Sequence, residues 1–479
     1  MITQHTLNSL FGIYDMSPVT GVTCDSRQVQ PGMIFAALPG TVLDGRKFID
    51  SAIEKGAVAI LTTTGVEASV PVITSDEPRL EYAKLCATLF SRQPATIVAM
   101  TGTNGKSSTV EFLRQIWAHA GKSAACFGTL GIEAPSGYRP LTHTTPDALS
   151  LHKTLDELAE EGVTHAAMEA SSHGLMQYRL DAVKVTAAGF SNLTQDHFDY
   201  HPTMTHYFNA KARLFTELTP ANAPVVINTN DEYGQKLVEM CRARGQTVTQ
   251  IGWSGADIRI DELMPRAASQ MMTLIIHGER HTVELPLAGE FQALNAVAAL
   301  ALAMVTGVSK DEALAGLEAL TGVAGRMERA GQTKDGAPIF VDFAHTEDGL
   351  DKLLRSVRPH TMGKIVIVFG CGGDRDPDKR AKMGRVAAKL ADEVIVTDDN
   401  PRTEDASSIR KAVLVGCPDA TEIGDRAAAI AEGIARLGPQ DCLVVAGKGH
   451  ERGQIIGDQI IPFSDVEEVR KALKAGKHD

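Results

Sequence analysis

Residues 100–108, with the sequence MTGTNGKSS, constrain the fold more than any other part of the chain. The apolar run ATIVAM precedes this segment, and apolar residues at helical spacing between 110 and 117 follow it. A strand, a glycine-rich turn and a helix in this order gather backbone N–H groups and a helix N-terminus around one point, which is how proteins bind phosphate. Gly102 and Gly105 are closer together than in the usual G-x-x-x-x-G-K-[ST] loop. We therefore predict an α/β domain that binds a nucleotide, with a chance glycine-rich turn as the alternative.

Strand-like and helix-like segments alternate along the chain, which predicts parallel sheets with crossover helices. A chain of 479 residues is too long for one hydrophobic core. Changes in pattern predict three α/β domains, at residues 1–93, 94–325 and 326–479. The alternation is expected to continue through the second domain to about residue 323. In the third, the runs PIFVDFA, KIVIVFG, EVIVTDD and DCLVVAG are separated by helical patterns and predict a Rossmann-like sheet.

Composition limits the classes of partner and the compartment. The net charge of −12 argues against binding to nucleic acid or to an anionic membrane surface. We expect no membrane insertion and no signal peptide, because no apolar run is long enough to cross a bilayer and the first residues lack a basic segment. Seven cysteines without a CxxC pair predict reduced thiols. We therefore expect a cytoplasmic monomer.

Further candidate residues follow the glycine loop in sequence. In MEASSHGL, Glu169 comes directly after a buried apolar run, where a carboxylate suits Mg²⁺ but is also common as a solvated strand-end acid. The segments NLTQDHFDYH and NAKARLF bring His197, Asp199, His201 and Lys211 into a short stretch. His-x-Asp-x-His leaves a transition-metal site as an alternative, although no further soft ligand follows it.

These motifs occur in the order seen in the Mur ligases. With CDSRQVQPGMIFAALPG near the start and GRME, VDFAHTEDGL, GCGGDRD, DNPR and AGKGHE later, the chain resembles that family over nearly its whole length. The resemblance implies an ADP-forming, ATP-dependent acid–amino-acid ligase with a UDP-binding domain, a central P-loop-type ATP-binding domain and a Rossmann-like amino-acid-binding domain. It further implies addition of meso-2,6-diaminopimelate to UDP-N-acetylmuramoyl-L-alanyl-D-glutamate through an acyl phosphate, in peptidoglycan precursor synthesis.

The resemblance also implies roles for individual residues. Lys106, Glu169, His197 and Lys211 would be catalytic, and Ser107, Glu169 and Lys211 as a carbamate would ligate magnesium. The residues implied for ATP are Gly102, Thr103, Asn104, Gly105, Lys106, Ser107, Ser108, Asn295, Arg326, Asp342 and His345. Those implied for the UDP-muramoyl-peptide are Ser26, Thr41, Val42, Leu43, Thr144, Thr145, Ser171, Gln177 and Arg179. Those implied for diaminopimelate are Arg375, Asp399, Asn400, Pro401, Arg402, Gly447 and Glu451.

The choice of amino acid depends mainly on Arg402, because a guanidinium binds the second carboxylate of diaminopimelate, which L-lysine lacks. Its alternative role is a surface ion pair with Glu404 or Asp405. Departures from the family pattern are His143 for an asparagine, Phe343 for a tyrosine and Glu347 for a proline. The rival functions are a lysine-adding ligase, a folylpolyglutamate synthase-like ligase, a P-loop ATPase and, from GCGGDR, a dinucleotide-binding dehydrogenase.

Overall fold

The computed structural model describes residues 19–40, 44–198 and 200–475. Two compact units divide the chain: the first unit comprises residues 1–251 and 301–308, and the second comprises residues 252–300 and 309–479. The implied substrate residues Thr41, Val42 and Leu43, and also Asp199, lie outside the described residues.

The first unit begins with a small parallel sheet. Its strands, in spatial order, are β1 (Gly21–Thr23), β2 (Met33–Ala36), β3 (Ala59–Thr62) and β4 (Val72–Thr74). The helical segments are a 3₁₀ turn (Gly45–Phe48), α1 (Ile49–Glu54) and α2 (Pro78–Leu89). Apolar strand residues such as Ile34 and Leu61 are fully buried together with Cys86 of α2, which gives this part its own core.

A larger sheet in the first unit carries the glycine loop. Its strands are β5 (Thr96–Thr101), β6 (Ala124–Gly128), β7 (Gly131–Ala134), β8 (Gly137–Arg139), β9 (His165–Glu169), β10 (Ala187–Phe190), β11 (Pro224–Asn228) and β12 (Thr247–Gly252). Their order is β12-β11-β10-β5-β9-β6-β7-β8, parallel from β12 to β6. The helices are α3 (Lys106–His119), α4 (Ala148–Glu160), α5 (Ser172–Met176), α6 (Met204–Arg213) and α7 (Glu232–Ala243), with a π-helical turn at Leu214–Leu218. The carboxyl ends of β5, β9 and β10 therefore lie side by side.

The second unit begins with an antiparallel meander of β13 (Ile258–Pro265), β14 (Gln270–Ile276) and β15 (Glu279–Leu285). The expectation of continued strand–helix alternation is wrong here. His277 and Gly278 both have positive φ, 48° and 90°, as a two-residue type I′ hairpin turn requires. The helices α8 (Glu290–Val305) and α9 (Lys310–Glu318) follow, and residues 301–305 of α8 belong to the first unit.

The rest of the second unit is a six-stranded sheet in the order β16-β17-β21-β18-β19-β20. Its strands are β16 (Glu328–Gln332), β17 (Pro338–Asp342), β18 (Ile365–Phe369), β19 (Glu393–Val396), β20 (Thr421–Glu422) and β21 (Cys442–Ala446). The helical segments are α10 (Glu347–Val357), a 3₁₀ turn (Arg358–His360), α11 (Asp378–Leu390), α12 (Ala406–Leu414), α13 (Arg426–Ala435) and α14 (Asp465–Ala475). A hairpin of β22 (Gly453–Ile456) and β23 (Gln459–Pro462) precedes α14.

The predicted Rossmann-like arrangement is confirmed. The four strand runs expected from sequence form β17, β18, β19 and β21, which pair in parallel, and only β16 is antiparallel to its neighbour. Together the sheets form the three-domain α/β architecture that the sequence predicts. No helix within the described ranges is long and apolar enough to span a membrane.

Candidate functional site

The glycine loop connects β5 to α3 and is fixed by the chain beside it. Gly102 and Gly105 have φ of 145° and 87°, which side-chain-bearing residues rarely adopt. A Cβ on Gly102 would overlap the Ser191 hydroxyl, which donates a 2.6 Å hydrogen bond to the Asn104 carbonyl. Lys106 Nζ donates to the carbonyls of Gly102 and Thr103 at 3.0 and 2.9 Å. The loop therefore has a defined shape at the N-terminus of a 14-residue helix, as phosphate binding requires.

Glu169 ends β9 beside this loop. Its Oε1 accepts hydrogen bonds from the Ser107 hydroxyl and the Thr129 N–H, both at 2.8 Å. A Cβ on Gly128 would overlap Glu169 Oε1, so only glycine permits this close approach. The carboxylate and hydroxyl are hard oxygen donors of the kind that Mg²⁺ prefers. In the ranges that the structure covers, no group of three or more His, Cys, Asp or Glu is placed to hold a metal ion.

Lys211 lies on α6 with its side chain only 2% exposed. Its Nζ donates to the Gly102 carbonyl at 2.7 Å and lies 4.5 Å from the centre of the Tyr207 ring. Burial, reinforced by the positive charge of Lys106, lowers the pKa of Lys211 well below its ordinary value. No carboxylate among the described residues forms an ion pair with it. Burial therefore shifts the amine toward its uncharged, nucleophilic form.

Tyr207, which contacts Lys211, belongs to a group of packed aromatic side chains, and the sequence indicated only part of this group. His197 has a φ of 54°, and its ring centre lies 5.0 Å from that of His173. His201 Nδ1 lies 3.0 Å from His206 Nδ1. Burial, followed by the charges of the neighbouring histidines and Lys211, lowers the pKa of His201 to about 4. The i,i+4 spacing of Tyr207 and Lys211 on α6 was the available signal for Tyr207, whereas His206, five residues before Lys211, has no such signal.

The residues implied for the muramoyl-peptide form a connected network in the first unit. The Thr145 hydroxyl donates to the Glu169 carbonyl at 2.9 Å and accepts the Ser171 N–H at 3.0 Å. Arg179 Nη1 donates to the Thr145 carbonyl at 2.7 Å, and Nη2 donates to Gln177 Oε1 at 2.8 Å. The network thus joins the predicted peptide residues to the strand that carries the magnesium candidate.

Thr144 and Ser26 are two further predicted contacts of the muramoyl-peptide, and they have different neighbours. The Thr144 hydroxyl is 3.0 Å from the Thr129 hydroxyl, which itself approaches Glu169. His143 is exposed. Ser26 belongs to the small parallel sheet region, where its carbonyl accepts a hydrogen bond from Lys55 Nζ at 2.8 Å.

The later residues implied for the nucleotide lie in the second unit. Asn295 Nδ2 donates to Gln292 Oε1 at 3.3 Å, and Gln292 Nε2 donates to the Arg326 carbonyl at 3.0 Å. The Arg326 guanidinium lies 5.0 Å from the centre of the Phe343 ring, where the resemblance leads one to expect tyrosine. Asn295 and Arg326 are therefore joined through Gln292, for which the sequence offers no motif.

Asp342 ends β17 and is buried. Burial raises its pKa, although Oδ2 accepts the Met327 N–H at 2.7 Å and Oδ1 accepts the Ala344 N–H at 2.8 Å. His345 Nδ1 lies 2.9 Å from the Phe343 carbonyl, and its ring packs against the Phe343 ring. Asp342 thus shapes the backbone that presents Arg326 and His345.

The residues implied for diaminopimelate gather at the carboxyl ends of β19 and β21. Asn400 Nδ2 donates to Glu451 Oε2 at 2.9 Å. Asp399 is nearly buried; its Oδ1 accepts the Asn400 N–H, while Oδ2 has no partner among the residues that the structure describes. Gly447, with a φ of 117°, leaves space for Asp399 Oδ2 that a Cβ would restrict. Pro401 is also buried, between Asn400 and Arg402.

Arg402 does not form the surface ion pair that was its alternative role. Glu404 instead binds Arg380 at 2.8 Å, and Asp405 caps α12 through the Ser408 N–H. Arg402 Nη1 donates to the Gly373 carbonyl at 2.8 Å. Its Nε and Nη2 have no hydrogen-bond partner within the described part of the chain, so one edge of the guanidinium is available for a carboxylate.

The backbone of Arg402 has a φ of 53°, a left-handed conformation that costs free energy in a non-glycine residue. The hairpin maintains it, because Arg402 N–H donates to the Ile455 carbonyl and Gly457 N–H donates to the Arg402 carbonyl. Arg375 is exposed and donates to the Asp374 carbonyl at 3.1 Å. The hairpin thus fixes the backbone of Arg402, whereas Arg375 lies at the surface.

Comparison with known families covers most of the chain. Residues 18–92 match the Mur ligase family catalytic domain, residues 100–303 match the Mur ligase middle domain, and residues 325–449 match the Mur ligase glutamate ligase domain.

Two curated relatives are named UDP-N-acetylmuramoyl-L-alanyl-D-glutamate--2,6-diaminopimelate ligase. The one from Rhizobium meliloti is 49% identical over 95% of this chain and 94% of its own length. The one from Agrobacterium fabrum is 50% identical over 95% and 93%. A solved structure of an enzyme with the same name is 32% identical, covers 99% of both chains and has a TM-score of 0.78.

Proposed function

This chain belongs to the Mur ligase family, and we propose that it joins 2,6-diaminopimelate to UDP-N-acetylmuramoyl-L-alanyl-D-glutamate with hydrolysis of ATP to ADP. The reaction is a step of peptidoglycan precursor synthesis. The observation that carries the proposal is the similarity over 95% of the chain to ligases of that name. The arrangement of Arg402, Asn400 and Glu451 at adjacent strand ends supports the choice of amino acid.

The chemistry begins with activation of a carboxylate. An oxygen of the D-glutamate side-chain carboxylate attacks the γ-phosphorus of ATP, the bond to the β-phosphate oxygen breaks, and ADP leaves. An amine of the diamino acid then attacks the acyl carbon of the acyl phosphate, loses a proton and expels inorganic phosphate. The protein supplies positioning and charge neutralisation rather than a covalent nucleophile.

The residues of the first unit fit the phosphoryl transfer. The loop N–H groups and Lys106 hold and neutralise phosphate oxygens, and the network of Thr145, Ser171 and Arg179 orients the peptide. Ser107, Glu169 and a carbamylated Lys211 would hold magnesium, because Ser107 and Glu169 already present adjacent hard oxygens. Magnesium, when bound, supplies charge neutralisation to the phosphates.

Carbamylation of Lys211 is supported by its burial and its lowered pKa. The uncharged amine attacks the carbon of carbon dioxide and loses one proton, which gives an anionic carbamate on the lysine stem. Such a group is an oxygen ligand in a place where the unmodified amine is only a hydrogen-bond donor.

For the organisation of the chain, we propose domain limits near residues 93 and 325. The matched ranges 18–92, 100–303 and 325–449 support these limits. A cytoplasmic monomer remains the prediction from sequence.

Phosphate release from ATP tests the function directly. With the UDP-muramoyl-dipeptide present, we expect release to depend on meso-diaminopimelate, and the product to be heavier by one diaminopimelate less one water. L-Lysine and L-glutamate, tested at equal concentration, represent the lysine-adding and folylpolyglutamate synthase-like alternatives. Omission of the dipeptide is the control. Release that is as fast with either alternative amino acid would contradict the proposal.

A further inference from the structure

Lys448 is a fully buried charged residue in the cluster that follows β19 and β21. Its side chain is 0% exposed. The Nζ donates to Asn400 Oδ1 and to Glu451 Oε2, both at 2.9 Å. Burial of a charged amine is costly unless its partners are well placed, and here both partners are implied diaminopimelate contacts. Within the motif AGKGHE, the family resemblance implies roles for Gly447 and Glu451 but none for Lys448.

Lys448 determines which way the Asn400 amide points. Asn400 Oδ1 accepts Lys448 and also the Ile455 N–H at 3.0 Å, so two donors converge on this oxygen. The opposite orientation of the amide would place its NH₂ group against these two donors. Asn400 Nδ2 is consequently directed to Glu451, and its second hydrogen remains available for a ligand.

Lys448 also distinguishes the two oxygens of Glu451. Oε2 accepts both Lys448 and Asn400, whereas Oε1 has no partner among the described residues. Burial acts to raise the pKa of Glu451, but Lys448 and the two hydrogen bonds outweigh it and lower that pKa. Glu451 is therefore an anion whose Oε2 is hydrogen-bonded within the protein and whose Oε1 can accept a hydrogen bond from a ligand. Its side chain is 35% exposed.

The backbone around Lys448 is fixed independently. Arg426 donates to the Ala446 carbonyl at 3.0 Å and to the Asp398 carbonyl at 3.3 Å, at the ends of both strands. Its ion pair with Asp465 is fully buried on both sides. We therefore expect loss of the Lys448 amine to change the orientation of the Asn400 and Glu451 side chains and to leave the nearby strand ends in place.

We propose that Lys448 is a positioning residue for amino-acid selection, which turns Asn400 Nδ2 and Glu451 Oε1 toward the incoming diamino acid. The inference rests on the proposed function, because that function makes Asn400 and Glu451 substrate contacts. Lys448 itself donates its hydrogens to these two residues and acts on the substrate through them.

The test is the variant Lys448→Met in the full-length enzyme, assayed with meso-diaminopimelate and with L-lysine. We expect the KM for diaminopimelate to rise about 10–100-fold, a loss on the scale of one charge-assisted contact. The KM for ATP should stay within about twofold. The ratio of kcat/KM for diaminopimelate to that for L-lysine should fall at least about fivefold. A loss of folded protein alone would lower both rates equally and would not change this ratio.

The matched control is Lys471→Met, because Lys471 also pairs with a glutamate three residues away, Glu468, at the protein surface. It should leave every parameter unchanged. Lys448→Gln is the second variant, for use if Lys448→Met does not fold. Its amide can still donate to one of the two partners, so it should retain part of the preference for diaminopimelate over L-lysine. Unchanged KM and discrimination in a folded Lys448 variant would overturn the proposal while the ligase assignment stood. A wild-type enzyme that does not use diaminopimelate would instead overturn the proposed function.

Discussion

Each unit of the molecule contains a buried lysine next to a predicted site, and the two lysines have different surroundings. Lys211 in the first unit donates to a backbone carbonyl and has no ion-pair partner among the described residues. Lys448 in the second unit is held by the carboxylate of Glu451 and the amide oxygen of Asn400. The difference shows how one residue type serves two purposes: without an ion-pair partner, burial shifts the amine toward its uncharged form, and with two partners the lysine side chain has a fixed position in the site.

The largest expected effect comes from removal of the reactive amine. Lys211→Ala should reduce turnover by about 10³-fold or more, because the anion proposed at this position is lost. Short carboxylic acids added to the assay should restore part of the activity by supplying an anion in the vacated space. Lys184→Ala, which changes an exposed lysine in the same unit, is the control. A variant with near-normal turnover would show that Lys211 has no chemical role. The proposed difference in role between Lys211 and Lys448 would then be wrong.

A smaller effect is expected from the second unit. Arg402→Ala should leave the far carboxylate of diaminopimelate unpaired and cost roughly 3–5 kcal/mol, which is about 10²–10³-fold or more in kcat/KM for this amino acid. The KM for ATP should change little. The exposed Arg385 on α11 provides a control as Arg385→Ala. If Arg402→Ala kept the full preference for diaminopimelate over L-lysine, the guanidinium would have no part in selection.

The smallest effect concerns stability and its dependence on pH. In the folded protein, burial lowers the pKa of Lys211 below its ordinary value of 10.5. At pH values between the lowered pKa and 10.5, the unfolded chain therefore binds more protons than the folded protein. The stability that Lys211 contributes therefore rises with pH across this window, by at most about 1.4 kcal/mol per pH unit. Lys211→Met removes this dependence.

The corresponding measurement compares the Tm of wild type and Lys211→Met at pH 7 and pH 9, in buffer free of carbon dioxide. We expect the gain in Tm of the variant relative to wild type to be larger at pH 7 than at pH 9, because the destabilisation caused by burying Lys211 decreases as the pH rises toward 10.5. Lys448→Met should instead lower Tm at both pH values, because Glu451 and Asn400 would lose their shared donor. An equal response of the two variants would mean that the two lysines do not differ in the way the structure indicates.

The sequence was sufficient for the features that depend on local pattern. The glycine loop lies between β5 and α3 as its strand–turn–helix pattern predicts, Glu169 is the last residue of the buried strand β9, and Asn400 lies in the segment that follows β19. The four strand runs of the last domain pair in parallel. The antiparallel meander β13–β15 was missed because its turn at His277 and Gly278 lacks the asparagine or aspartate that usually marks a type I′ hairpin.

What the sequence by itself determined is therefore the family, most of the strands and helices outside the meander β13–β15, and the side of the parallel sheets where ligands bind, since these follow from backbone periodicity and short motifs. Only the tertiary structure decided that Lys211 lacks an ion-pair partner among the described residues, that Lys448 binds both Asn400 and Glu451, and that Arg402 has a free edge. Burial and partnership are properties of segments that are distant in sequence: Gly102 and Lys211 are 109 residues apart, and Asn400 and Lys448 are 48 apart. No local pattern encodes those contacts, because they form only when folding brings separate strand ends and helices together.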